Sequence, residues 1–113
     1  MGRKMLKKCA WEKYDKKELK ELESLSAGYR EFLDNGKTER ECIDTIVNTI
    51  EAEGYRELEE LIKEGKQVKT GDKVYSVWMN KSIAMFQIGR KPMTEGLNIL
   101  GAHIDSPRMD VKQ

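Results

Sequence analysis

Two β-rich runs with a polar turn between them occupy residues 73–88, which read KVYSVWMNKSIAMFQI. β-Branched and aromatic residues are enriched in strands, and Asn80-Lys81 between the runs is typical of a turn. A shorter β-rich run at Gln67–Lys69 precedes them, and the turn residues Thr70-Gly71-Asp72 separate it from the longer runs. This part of the chain therefore predicts antiparallel β-hairpins.

The residues upstream of the hairpins carry helical signals. Asp15-Lys16-Lys17-Glu18 and Thr38-Glu39-Arg40-Glu41 both have the spacing of a capping box at a helix start. Apolar side chains then recur at intervals of three and four residues, which places them on one helix face. They are Leu19, Leu22, Leu25, Tyr29, Phe32 and Leu33 in the first helix and Cys42, Ile43, Ile46, Val47 and Ile50 in the second. A third, shorter helix is expected from Tyr55 to Glu64. Helices followed by strands favour an α+β fold class.

Composition and charge narrow the range of functions. The chain has 113 residues, of which 38% are apolar and 36% are charged, so we expect helices with broad solvated faces. Twenty-one basic and twenty acidic residues give a net charge of +1, which provides no field that attracts nucleic acid or an anionic membrane. Neither a secretory signal nor a membrane span is recognisable, and the two cysteines are far apart. These features predict a cytoplasmic protein with reduced thiols and with no nucleic-acid or membrane partner.

The only histidine, His103, follows the apolar run Leu97-Asn98-Ile99-Leu100, which predicts a strand from Leu97 to Ala102. In an extended strand residues i and i+2 point to the same side, so His103 and Asp105 would project together. Pro107 lacks an amide hydrogen and would end the strand. One ring nitrogen of His103 suits a metal ion, while Asp105 or the local backbone would fix the ring.

Two other interpretations of this segment remain open at the level of the residues. The first is a histidine that is hydrogen-bonded inside the end of a strand and has no functional role. The second makes Ser106 a nucleophile, which is disfavoured because a serine needs a general base and His103 is the only histidine.

Residues 82–113, SIAMFQIGRKPMTEGLNILGAHIDSPRMDVKQ, resemble the aspartyl aminopeptidase and aminopeptidase I family of zinc metallopeptidases, particularly its bacterial branch. The similarity is greatest over NILGAHIDSPRMDVKQ, and the strings AWEKYDKKE from Ala10 and VYSVWMNKSIAMF from Val74 extend it upstream. The resemblance implies that His103 is a zinc ligand of a two-zinc site. It also implies that Asp105 is a catalytic-site residue supporting that ligand, that the substrates are peptides, and that the complete enzyme is a homo-oligomer.

The remaining parts of such a site are expected outside these 113 residues. The resemblance implies a bridging aspartate, two further carboxylates, a second histidine and a glutamate general base. A catalytic zinc needs three protein ligands, which is more than His103 alone supplies. We therefore expect residues 1–113 to be the amino-terminal portion of a larger α/β catalytic domain, inactive alone. A helical layer would occupy about 15–65 and a β-rich part about 67–113. The alternative is a non-enzymatic α+β interaction or structural domain in which His103 is buried.

Overall fold

The computed structural model describes residues 8–105, 109, 111 and 112, and the chain divides into two compact units, residues 1–33 and 34–113. The described residues form three α-helices and a three-stranded sheet, which confirms the α+β prediction. The elements in chain order are α1 (Lys16–Asn35), α2 (Glu39–Ala52), β1 (Arg56–Glu57), α3 (Leu58–Lys63), β2 (Lys73–Trp78) and β3 (Ser82–Gln87). Short 3₁₀ turns lie at Ala10–Glu12 and Met93–Glu95.

Both long helices begin at the capping boxes that the sequence predicts. The Asp15 carboxylate accepts a 2.8 Å hydrogen bond from the Glu18 amide, and the Glu18 carboxylate accepts one of the same length from the Asp15 amide. At α2, Thr38 Oγ1 accepts from the Glu41 amide at 3.3 Å, while Glu41 Oε2 accepts from the Thr38 amide at 2.9 Å. These bonds satisfy amide groups that have no partner within the helix.

The sheet contains three strands in the order β1-β2-β3. Strands β2 and β3 form the predicted antiparallel hairpin, with Lys73 opposite Gln87 at one end and Trp78 opposite Ser82 at the other. The turn is unusual because Met79 and Asn80 both have a φ of 52°, a left-handed conformation that few side chains adopt. Strand β1 pairs with β2 in the parallel direction, so the sheet is mixed.

The core of the second unit is small. Its buried apolar residues come from α2, α3 and β2, and they are Cys42, Ile43, Leu61, Val74 and Tyr75. Ile43 is completely inaccessible to solvent, and the Tyr75 hydroxyl donates a 2.6 Å hydrogen bond to Glu51 Oε1. Burial and this carboxylate raise the pKa of Tyr75 above its ordinary value of 10.0.

Three sequence predictions differ from the structure. Gln67–Lys69 is irregular rather than a strand, and the third helix begins at Leu58, because Arg56 and Glu57 form β1 instead. The predicted strand from Leu97 to Ala102 is wrong for this chain: the segment is irregular, and its apolar side chains are exposed, Leu100 completely so. An apolar run becomes a strand only when a neighbour completes its hydrogen bonds, and no described strand pairs with this one.

Candidate metal-binding site

His103 lies on the surface, at the end of the irregular segment that follows Met93–Glu95. Its side chain is 82% exposed, and that of Asp105 is 76% exposed. The alternative prediction of a buried His103 is therefore wrong, because the segment that carries it is not enclosed by other elements. Ser106 and Pro107 lie outside the described residues, as do Arg108, Asp110 and Gln113.

The imidazole of His103 is held by the residue two positions further on. Its Nδ1 lies 2.8 Å from the main-chain carbonyl oxygen of Asp105 and 3.6 Å from Oδ1 of the same residue. A carbonyl oxygen can only accept, so a hydrogen bond of this length requires the proton on Nδ1. In the neutral ring the lone pair is then on Nε2, the nitrogen that faces away from Asp105.

This geometry presents one nitrogen of His103 to the outside of the chain. No described residue hydrogen-bonds Nε2, and the ring is fixed in the tautomer that leaves this atom basic. Metal-binding histidines in proteins have this arrangement, with the second ring nitrogen donating to a carbonyl or carboxylate. The sequence predicts that His103 and Asp105 project together and that Asp105 or the local backbone fixes the ring. Both the main-chain carbonyl and the carboxylate of Asp105 lie near Nδ1, although the strand on which that prediction relied is not formed.

The described residues provide one of the several ligands that a metal site needs. An imidazole nitrogen beside a carboxylate suits zinc. Within residues 8–105, 109, 111 and 112, however, no three or more histidine, cysteine, aspartate or glutamate side chains are grouped closely enough to hold an ion. Cys42, the cysteine in the same unit as His103, is buried, and its thiol donates to the Gly36 carbonyl at 3.5 Å. Within the described residues, Nε2 of His103 is therefore the candidate metal ligand that this geometry offers.

None of the described helices has the length and apolar character that a membrane crossing requires.

The comparisons with known proteins that find a match identify the same family. Residues 32–113 match the family model for aminopeptidase I zinc metalloproteases, M18. The chain is 49% identical over 106 residues to a probable M18 family aminopeptidase 1 from Clostridium acetobutylicum, which covers 94% of this chain and 23% of that protein. A protein of the same description from Thermotoga maritima is 37% identical over 109 residues, or 96% of this chain and 22% of its own length.

A probable M18 family aminopeptidase 2 from Stutzerimonas stutzeri is 33% identical over 91 residues, which is 80% of this chain and 21% of that protein. The chain thus spans less than a quarter of the length of these relatives. No solved structure matches it at the significance level that they meet.

Proposed function

This chain belongs to the aminopeptidase I zinc metalloprotease family, M18, and we propose that it is the amino-terminal portion of an aminopeptidase catalytic domain. In this proposal a helical layer at about 15–65 and a β-rich part at about 67–113 support the segment that carries His103. Relatives named as probable M18 family aminopeptidases match nearly the whole chain, which supports the assignment of peptides as substrates.

The residue that contributes directly to zinc binding is His103, through Nε2. The single observation that carries this proposal is the 2.8 Å contact between Nδ1 and the Asp105 carbonyl oxygen, because it leaves Nε2 as the basic and accessible nitrogen. The remaining ligands of the two-zinc site and the general base are assigned to parts of the relatives that this chain does not match. The 113 residues are accordingly inactive alone.

Asp105 acts as the supporting residue of the site in two separable ways. Its main-chain carbonyl fixes the tautomer and the orientation of the ring, whereas its carboxylate, with Oδ1 3.6 Å from Nδ1, adds negative charge that makes the imidazole a stronger donor. Zinc at such a site supplies Lewis acidity, which polarises a scissile carbonyl and lowers the pKa of a bound water. The contribution of this chain is to hold one nitrogen in position for that ion.

We propose the partners and the cellular location of the enzyme from the charge of the chain and from its family. A net charge of +1 gives the chain no general attraction to nucleic acid or to anionic membranes. The family supports peptides as substrates and further copies of the same subunit as partners. A cytoplasmic location and a homo-oligomeric complete enzyme complete the proposal.

A chimeric enzyme tests the role of His103. This chain replaces the matching segment of the Clostridium acetobutylicum relative, and the unmodified relative serves as the positive control. Zinc per subunit is measured by mass spectrometry, and activity is measured with amino-acid p-nitroanilides. We expect His103→Ala to lose zinc and to lose activity by about 100-fold or more, since loss of a supporting residue alone already costs 10–100-fold.

Two further variants make this test specific. Lys81→Ala, in the β2–β3 turn, should leave zinc content and activity unchanged. Asp105→Asn keeps the carbonyl contact but removes the charge, so zinc affinity should fall by only about tenfold. Full zinc occupancy and full activity in His103→Ala would refute the assignment.

A further inference from the structure

A cleft away from His103 collects positive charge within the second unit of the chain. It has a volume of about 670 Å³ and lies between the end of α2, the α3 region and the start of β2. Four cationic and two anionic side chains line it, namely Arg56, Lys66, Lys69 and Lys73 against Glu53 and Asp72. Its volume falls within the range of about 300–1,000 Å³ that is usual for small-molecule sites.

Two of these cations, Arg56 and Lys66, both form an ion pair with the carboxylate of Glu64. Arg56 Nη2 lies 3.0 Å from Glu64 Oε1, and Lys66 Nζ lies 2.7 Å from Glu64 Oε2. The hydrogen bonds from Lys66 and Arg56 hold the pKa of the Glu64 carboxyl below its ordinary value. Glu64 therefore already occupies these two donors, and all three side chains are roughly half exposed, so the charge that remains for another anion comes mainly from Lys69 and Lys73.

Lys73 is a cation without a counter-ion. Its Nζ donates a 3.0 Å hydrogen bond to the main-chain carbonyl of Glu53 and lies 5.6 Å from the centre of the Tyr55 ring. Both contacts hold an ammonium group in place without neutralising its charge. Among the described residues no carboxylate forms an ion pair with Lys73 or with Lys69. The Asp72 carboxylate instead accepts from the Lys69 amide at 2.9 Å.

We propose that this cleft binds a phosphate group, with Lys73 and Lys69 as its principal ligands and with Arg56 and Lys66 at its edge. Lys73 is half-buried and held by two contacts, so less of its side-chain freedom is lost on binding than for an ordinary surface lysine. A phosphate carries the charge and the acceptor oxygens that the two unpaired ammonium groups require. This site is independent of the peptidase assignment.

The test is a titration of the intact chain with inorganic phosphate and with AMP, followed by amide chemical shifts in ¹H–¹⁵N spectra. We expect saturable shifts at Lys69, Gly71 and Lys73, with affinity that falls as salt is added. Equal affinity for both probes identifies the free anion as sufficient, whereas tighter binding of AMP shows that the cleft also contacts the group bearing the phosphate. Either result supports the proposal.

Matched lysine variants separate a site from general charge attraction. Lys73→Met and Lys69→Met should each weaken binding by about tenfold or more, the factor expected for one charge-assisted hydrogen bond. Lys91→Met removes a lysine paired with Glu95 outside the cleft and should leave affinity unchanged. Lys69 is exposed, so its variant provides a test that does not depend on how Lys73→Met folds. The proposal is overturned if the shifts do not saturate or if all three variants bind alike.

Discussion

Replacing Ile43 should be the most damaging single change to the second unit of this chain. Ile43→Ala removes three carbon atoms from a side chain with no solvent exposure, which at about 0.8 kcal/mol per carbon lowers the free energy of unfolding by about 2.4 kcal/mol. The cavity left behind raises the loss to about 3–4 kcal/mol. So small a core has little reserve against a loss of this size.

Ile62 provides the matched control because it is also an isoleucine in a helix but is 66% exposed. About a third of the transfer free energy applies there, or about 0.8 kcal/mol, and the better helix propensity of alanine offsets about half of it. In urea unfolding followed by circular dichroism, Ile43→Ala should lower the midpoint by about 2 M at a slope of about 1.5 kcal/mol per M, whereas Ile62→Ala should barely move it.

A milder variant keeps this comparison usable if Ile43→Ala does not fold. Ile43→Val should cost about 0.5–1.5 kcal/mol. Equal effects of Ile43→Ala and Ile62→Ala would show that the packing of α2 described above does not stabilise the chain.

Two further predictions concern polar contacts. Burial and the hydrogen bond to Glu51 raise the pKa of Tyr75, so the folded state keeps this proton when the unfolded chain loses it. The stability advantage of the wild type over Tyr75→Phe should therefore be fully present below pH 10.0 and should decline as the pH rises further, in urea titrations at several pH values. An advantage that stays constant with pH would contradict this reasoning. Thr38→Ala removes the cap of α2 and should lower the free energy of unfolding by about 1 kcal/mol, whereas Thr38→Ser should preserve it; equal melting temperatures of the two variants would exclude a role for the cap.

The elements that the sequence predicts correctly are those determined by neighbouring residues. Each capping box joins residues three positions apart, and the β2–β3 hairpin joins two runs that follow one another across a short turn. Strand β1 was missed because two residues carry no periodic pattern, and its parallel pairing with β2 joins Arg56 to the distant Val74. The strand predicted at Leu97–Ala102 fails for the converse reason, since its apolar pattern is present but a pairing partner is not described.

The candidate metal-binding site is also predicted only in part by the sequence. The sequence predicts that His103 and Asp105 lie together on one side of a strand, and the two residues are together in the structure although that strand is not formed. The exposure of both side chains and the contact between Nδ1 and the main-chain carbonyl of Asp105 depend on the path of the backbone. That path differs from the predicted one because residues 97–102 do not form a strand. The cationic cleft has no recognisable motif: Lys66, Lys69 and Lys73 are close along the chain, but the fold is needed to bring Arg56 to them.

The exposed run Leu97–Leu100 has a consequence for the handling of this polypeptide in a cell. It is uncharged, and residues at its start share a cleft with β3, the strand at the edge of the described sheet. An apolar segment beside an open strand edge is a template for pairing between molecules, which leads to aggregation. A chain that exposes this surface is therefore a substrate for holdase chaperones.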